Sequence, residues 1–177
     1  MLVFQRSLLV VTLLLGITVT TTRSSAFERQ WHVGVDLGYA SLSHDESMHS
    51  GVGFGVHGAY GLTDSYNLML ELGASTHPMD GVPSLTALHG AVGAAYTLDV
   101  VSWVPYAGVL VGGYRLSGGG LERGEYRLGF QGALGMDYRP GRSWAVGLQA
   151  RYHTFATDLF TTHYVTCFGR FEWLWGW

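Results

Sequence analysis

The charged residues of this chain are few, and they stand singly inside otherwise apolar stretches. Only 13% of the 177 residues are charged, whereas 47% are hydrophobic and 14% are aromatic. Carboxylates and guanidinium groups that share one face of a fold can neutralise each other as ion pairs. The candidates for such a network are Asp36, Glu71, Arg127, Asp137, Arg151, Arg170 and Glu172, with His32, His57, His89 and His153 beside them.

A second candidate is the polar segment 43–49, which reads Ser-His-Asp-Glu-Ser-Met-His. Its two histidines and two carboxylates are ligand types that a divalent cation accepts. Solvated loops often have this composition without binding a metal. We therefore expect a surface-contact loop, no metal site and no cofactor.

His153 is followed by Thr154, Phe155 and Ala156, with Asp158 close behind. The segment resembles the site of PagL-type lipid A deacylases, in which a His-x-Ser-Asn motif near the outer rim of a late strand supplies the base and the nucleophile. His153 matches the histidine, and Asp158 is placed to orient it. Phe155 stands where the serine is needed, so we expect no catalysis and retain lipid A modification as an alternative function.

The elements that must position these residues are strands, because apolar residues recur at every second position. A period of two places one residue set on each face of a β-strand. The eight alternating segments begin near Trp31, Val52, Tyr66, Leu88, Val104, Tyr126, Trp144 and His163. Glycines blur the alternation from Val104 to Leu116, so the facing of the fifth strand stays open. If the alternation holds elsewhere, the charged candidates all point inward. Glu71 and Arg170 are then the first choice for an ion pair across the lumen.

The connections between these segments alternate in length. Polar loops are predicted at 41–49, 76–84, 117–125 and 155–162, and short turns at 61–65, 99–103 and 139–143. An even number of strands brings both chain ends to the side of the short turns. We expect that side to be periplasmic and the loops to be extracellular.

The polarity of the two faces decides between two barrel types. A soluble lipocalin-like barrel, the alternative fold, places apolar residues inside and charged residues outside. Here the apolar face is rich in Tyr, Trp and Leu, and the other face carries Gly, Ala and scattered charge. This pattern predicts an all-β fold, an eight-stranded antiparallel up-and-down transmembrane β-barrel.

The start of the chain has the pattern of a secretory signal peptide. An apolar run of twelve residues, Leu8–Val19, follows Arg6, and small residues precede a cleavage position after Ala26. The run is shorter than the roughly 20 residues that a spanning helix needs. We expect residues 1–26 to be the signal peptide and residues 27–177 to form the barrel domain.

Aromatic residues occupy alternate positions at the other end of the chain, at Phe171, Trp173, Trp175 and Trp177. This terminus resembles the final strand of bacterial outer-membrane barrels, which the barrel assembly machinery recognises in that group. Over about Gln30 to Trp177 the chain is similar to the OmpA/OmpX-like group of small barrels. The resemblance implies an outer-membrane location.

These features predict a non-enzymatic integral barrel with a charge-plugged lumen and a structural or surface-interaction role. A narrow channel for small solutes or ions is a further alternative. Eight strands enclose an interior just wide enough for side chains to fill it. The expected partners are outer-membrane lipid, lipopolysaccharide and the assembly machinery. The formal net charge of −3 gives no basic surface for nucleic acid, and we expect a monomer.

Overall fold

A computed structural model of the protein describes residues 29–44, 47–98, 102–157 and 163–176. Its strands form one closed barrel, in which each strand pairs antiparallel with the next and the last pairs with the first. The strands are β1 (Trp31–His44), β2 (Ser47–Gly61), β3 (Tyr66–His77), β4 (Leu85–Thr97), β5 (Trp103–Ser117), β6 (Glu125–Tyr138), β7 (Trp144–Phe155) and β8 (Tyr164–Trp175). The predicted fold class is confirmed. The described residues contain no helix long and apolar enough to cross a membrane.

The two faces of the sheet have the polarity that the alternation predicts. Large apolar side chains point outward and are widely exposed; Leu37 is 70% exposed and Leu148 is 72% exposed. The interior holds the charged groups together with small residues. Lipid hydrocarbon can cover such an outer face. Exposing the same apolar surface to water would be strongly unfavourable in free energy. The lipocalin-like alternative, with charges outside, is therefore wrong.

The first long loop is much shorter than predicted. A loop was expected at 41–49, but residues 41–44 belong to β1 and residues 47–49 belong to β2, and the two strands pair as far as His44 opposite Ser47. The predicted loop was too long because polar residues form strands as readily as loops where a sheet projects beyond the membrane into water. The second loop is also shortened, since β3 continues to His77.

The structure shows which side chains of β5 point into the lumen. Tyr106, Leu110 and Tyr114 are buried in the lumen, while Val109 and Val111 are exposed outside. Both faces of this strand are apolar, and inward side chains of β5 share a buried cluster with Ala and Met residues of other strands. Alternation of polarity therefore could not distinguish its two faces.

Some predicted features lie outside the described residues. They include the signal peptide (1–26), the terminal Trp177, the carboxylates Asp45 and Glu46 of the proposed contact loop, and Asp158.

Candidate functional site

The barrel lumen brings most of the predicted charges together. Each strand directs its even or odd positions inward, so residues far apart in sequence meet across a narrow interior. The central residues are each no more than 6% exposed: Asp36 on β1, Glu71 on β3, Asp137 on β6, Arg151 on β7, and Arg170 and Glu172 on β8.

The ion pairs nearer the loops centre on Arg151. Its Nη1 lies 2.5 Å from Oε1 of Glu71, and its Nη2 lies 3.4 Å from Oδ2 of Asp36. Glu71 also contacts Nε2 of His89 at 2.7 Å. Arg151 thus links carboxylates of β1 and β3 across the lumen from β7.

The ion pairs nearer the turns centre on Arg170. Its guanidinium bonds Glu172 and the hydroxyl of Tyr106, and its Nε lies 3.6 Å from Oδ1 of Asp137. The same guanidinium carbon lies 4.9 Å from the centroid of the Tyr106 ring. Side chains from β5, β6 and β8 therefore meet at this one arginine.

His57 joins the two groups of ion pairs. Its Nδ1 lies 2.9 Å from Oδ2 of Asp36, and its Nε2 lies 2.9 Å from Oε1 of Glu172. The Nη2 atom of Arg170 also approaches Nε2 at 2.7 Å. Nε2 can donate to Glu172 or accept from Arg170, but it cannot do both, so the protonation of His57 selects the hydrogen-bond pattern.

Glycines make room for the imidazole rings in this narrow interior. A Cβ at Gly34 would lie 2.5 Å from the His57 ring, and one at Gly73 would lie 2.4 Å from the His89 ring. Contacts this short are forbidden for real side chains. Glycine on the neighbouring strand therefore lets each histidine lie across the sheet beside its carboxylate.

The central charges do not balance by themselves. Four carboxylates, Asp36, Glu71, Asp137 and Glu172, face the two guanidinium groups of Arg151 and Arg170. His57 and His89 contact three of these carboxylates. Because buried charges are costly unless compensated, these two histidines belong to the network.

Two predictions about this network need correction. Arg127 lies at the loop-side rim, where it pairs with Glu125 at 2.7 Å and its side chain is 23% exposed. Like the central residues, Arg127 faces inward. It lies too near the loop-side end of β6 to reach them. Glu71 pairs with Arg151, and Arg170 pairs with Glu172. Among the described residues Glu71 and Arg170 therefore do not pair with each other.

The lumen also contains an apolar cap that the sequence did not predict. It fills the end of the lumen nearest the loops and consists of Leu42, Leu85, Leu116, Phe155 and Tyr164, with Met79 and Leu121 of the loops packed against it. None of the five buried residues is more than 2% exposed. Leu42 and Phe155 lie where the sequence pattern predicted loops, and Leu116 lies in the strand whose facing was left open.

Hydroxyl groups and histidines also lie within and beside this cap. His153 is fully buried, and its Nδ1 lies 3.0 Å from the hydroxyl of Tyr114. Its side chain points into the lumen. A lipid A deacylase needs its histidine at the lipid surface, so this position does not suit that chemistry. Ser75 Oγ lies 2.9 Å from Nε2 of His77 and accepts a hydrogen bond from Tyr164. This Ser–His pair, which the sequence analysis missed, is buried as well.

The described residues of the predicted assembly signal, Phe171, Trp173 and Trp175, lie on the outward face of β8. Trp173 is 60% exposed and Trp175 is 46% exposed. Phe171 stacks on Trp144 of β7, with ring centroids 6.2 Å apart. These rings lie on the outer surface where β8 pairs with its neighbouring strands, at the end of the barrel nearest the turns.

Within the described ranges, no group of three or more His, Cys, Asp or Glu side chains is arranged to hold an ion. The lumen carboxylates are instead in contact with arginine and histidine.

A closed antiparallel barrel with an apolar exterior and a charged interior defines a transmembrane β-barrel. The sequence matches the family described as outer membrane protein beta-barrel domain over residues 9–169. The chain belongs to this family, and it is an outer-membrane barrel. No curated protein matched the sequence.

Solved structures of small barrels share this fold. Neisserial surface protein A (NspA) is 14% identical, with a TM-score of 0.71, and the match covers 81% of this chain and 96% of NspA. Ail, the attachment invasion locus protein of Yersinia pestis, is 10% identical with a TM-score of 0.58, covering 84% and 99%. OprG from Pseudomonas aeruginosa is 11% identical with a TM-score of 0.58, covering 86% and 99%. At these identities the similarity establishes the fold.

Proposed function

We propose that the protein is a non-enzymatic integral barrel of the outer membrane whose lumen is plugged by charge pairs, with a structural or surface-interaction role. The observation that carries this proposal is the buried network that runs from Glu71 and Arg151 through His57 to Arg170 and Glu172. Its side chains come from opposite walls of the barrel. A solute would have to break these ion pairs to pass between them.

Two further features support a closed lumen. The apolar cap blocks the loop-side end, where Phe155 and Leu85 are fully buried. At the turn-side end, the cavity beside His32, Asp137 and Arg139 has a volume of about 30 Å³. A cavity of that size holds about one water molecule. Both features support the plug over the narrow-channel alternative.

Single-channel recording tests the plug directly. Purified barrel, shown to be folded by its different mobility in unheated and boiled gel samples, is added to planar bilayers. Wild-type protein is expected to give no conductance steps. Arg170→Ala combined with Phe155→Ala should open a small conductance, because it removes a central guanidinium and part of the cap. Regular steps from the wild-type protein would refute the plug and support the channel.

The proposed orientation places both termini and the short turns in the periplasm and the loops outside the cell. The support is the general architecture of outer-membrane barrels, which have short periplasmic turns and longer extracellular loops. An epitope inserted between Gly119 and Gly120, in the loop between β5 and β6, should be labelled on intact cells. An epitope placed in the turn 139–143 should be labelled only after the cells are lysed.

The assembly machinery is a proposed partner through the C-terminal aromatic residues. Closure of the barrel requires β8 to pair with β1, because unpaired strand edges are very costly in lipid. Deleting Trp177 should sharply lower the amount of protein in the outer membrane, whereas replacing the exposed Trp144 with Phe should not. Normal levels of the truncated protein would count against the assembly role of this terminus.

Lipid A modification remains the alternative enzymatic function. The Ser75–His77 pair has hydrogen-bond geometry suited to nucleophilic attack, but its burial in the lumen separates it from lipid. Mass spectrometry of lipid A from cells with and without the protein should give identical spectra. A mass difference that disappears in Ser75→Ala would establish the enzyme and overturn the non-enzymatic proposal.

A further inference from the structure

The outward face of the described strands carries a single ionised side chain, Arg115. Every other outward position on these strands holds an apolar, aromatic, glycine, hydroxyl or thiol residue. Arg115 lies near the loop-side end of β5 and is exposed. A charged group on a lipid-facing surface is strongly disfavoured at the bilayer centre and tolerated near the interface, so its depth needs to be established.

The depth of Arg115 follows from the length of β5. Trp103 begins the strand on the turn side, and its ring lies 4.9 Å from that of Tyr138, as in the aromatic girdle at a membrane surface. Arg115 follows Trp103 by twelve residues. At ~3.4 Å per residue and a tilt of roughly 40°, that is about 30 Å along the membrane normal. The hydrocarbon layer has nearly this thickness, so Arg115 reaches the opposite headgroup region.

The surroundings of Arg115 hold its guanidinium at this level. Its central carbon lies 5.6 Å from the ring centroid of Tyr126, the residue opposite it on β6. A Cβ at Gly124 would lie 3.2 Å from Nε, so glycine at this position gives the guanidinium room. Leu88 lies opposite on β4. Among the described residues no carboxylate pairs with Arg115, and its charge is available to an external anion.

We propose that Arg115, held against Tyr126, binds a phosphate group of lipopolysaccharide in the outer leaflet. The inference rests on the orientation given under the proposed function, which places the loop-side end at the cell exterior. Lipopolysaccharide is the phosphate-bearing lipid of that leaflet. Guanidinium groups bind phosphate oxygens through two parallel hydrogen bonds, and a neighbouring tyrosine ring limits the motion of the arginine.

Binding of defined lipids to the purified, folded barrel in detergent micelles tests this site. The probes are diphosphorylated lipid A, the same lipid after removal of its phosphates, and phosphatidylglycerol. Wild type should prefer diphosphorylated lipid A. Arg115→Gln should weaken that binding about fivefold, as expected for one arginine at an anionic membrane surface. Arg115→Lys should retain part of the affinity because it keeps the charge and loses the paired hydrogen bonds.

The matched control is Arg142→Gln, which removes the same charge from an exposed turn at the other end of the barrel. It should leave binding unchanged. Equal binding of lipid A by wild type and Arg115→Gln would overturn the proposal. So would equal wild-type binding of phosphatidylglycerol and lipid A, since the site would then recognise anionic lipid in general. Gel mobility of each variant confirms that it is folded.

The epitope between Gly119 and Gly120 separates this inference from the proposed orientation. Surface labelling together with unchanged binding by Arg115→Gln refutes the phosphate site alone. Labelling only in lysed cells refutes the orientation and, with it, contact between Arg115 and lipopolysaccharide.

Discussion

The two regions that close the lumen use different chemistry. Toward the loops, Leu42, Leu85 and Phe155 form a cap of fully buried apolar side chains. In the middle of the barrel, Arg151 and Glu71 belong to a layer of buried ions. Each layer fills the narrow lumen at its own height. The cap needs only side chains of the right total volume. The ion layer also needs opposite charges at the same height in the lumen.

This difference has a physical consequence for each layer. The cap limits access of water to the ions below it, which strengthens their mutual attraction and raises the penalty for any ion left alone. Loss of a methyl group from the cap leaves a void but no charge. Loss of one member of the ion layer leaves an uncompensated buried charge, so the ion layer should be the less tolerant of single substitutions.

The largest effect is expected for Arg151→Ala. The substitution leaves Glu71 and Asp36 without their shared guanidinium and should lower the free energy of unfolding by about 3–5 kcal/mol. Urea unfolding of the barrel in lipid vesicles, followed by tryptophan fluorescence, measures this change. A loss below that of a cap substitution would reverse the proposed ranking of the two layers.

A substitution in the cap should cost somewhat less. Leu85→Ala removes a fully buried side chain and should lower the free energy of unfolding by about 2–4 kcal/mol, the range for cavities of this kind. Leu148→Ala on the lipid face is the matched control, since lipid can fill the space it vacates. If both leucine variants lose equal stability, the cap is not packed as a core.

The partners within the ion layer can be separated by double-mutant cycles. Glu71→Gln and Arg151→Met should show a coupling energy of about 1–3 kcal/mol, because the two side chains are in contact. Glu71→Gln and Arg170→Met form the comparison cycle, and their coupling should be smaller because the two belong to different ion pairs. Larger coupling to Arg170 would contradict the pairing in the structure.

The smallest effect is expected at the rim. Arg127→Gln should change the free energy of unfolding by no more than about 1 kcal/mol, since its pair with Glu125 is partly exposed to solvent. The same unfolding measurement as for Arg151→Ala allows a direct comparison of two inward arginines at different depths. A loss comparable with that of Arg151→Ala would show that the ion layer extends to the rim.

Much of the fold could be predicted from local sequence. Alternation of apolar and polar residues located the strands, and it assigned the inward facing of Asp36, Glu71 and Arg151 correctly. This was possible because strand geometry forces every second side chain to the same face, whatever lies on the other side of the barrel. The facing stayed open where polarity does not alternate, as in β5. The predicted loop was too long where polar residues continue the strands, as in the hairpin of β1 and β2.

The sequence by itself thus determined a barrel with an apolar exterior and a charged interior, and it identified most of the ions in the lumen. Only the tertiary structure decided that Glu71 meets Arg151 and not Arg170, that Arg127 stays at the rim, and that an apolar cap lies above the ions. The height of a side chain in the lumen depends on the stagger of each strand against the next, which accumulates around the closed sheet. That stagger is set by the pairing of all the strands together, and no single segment encodes it.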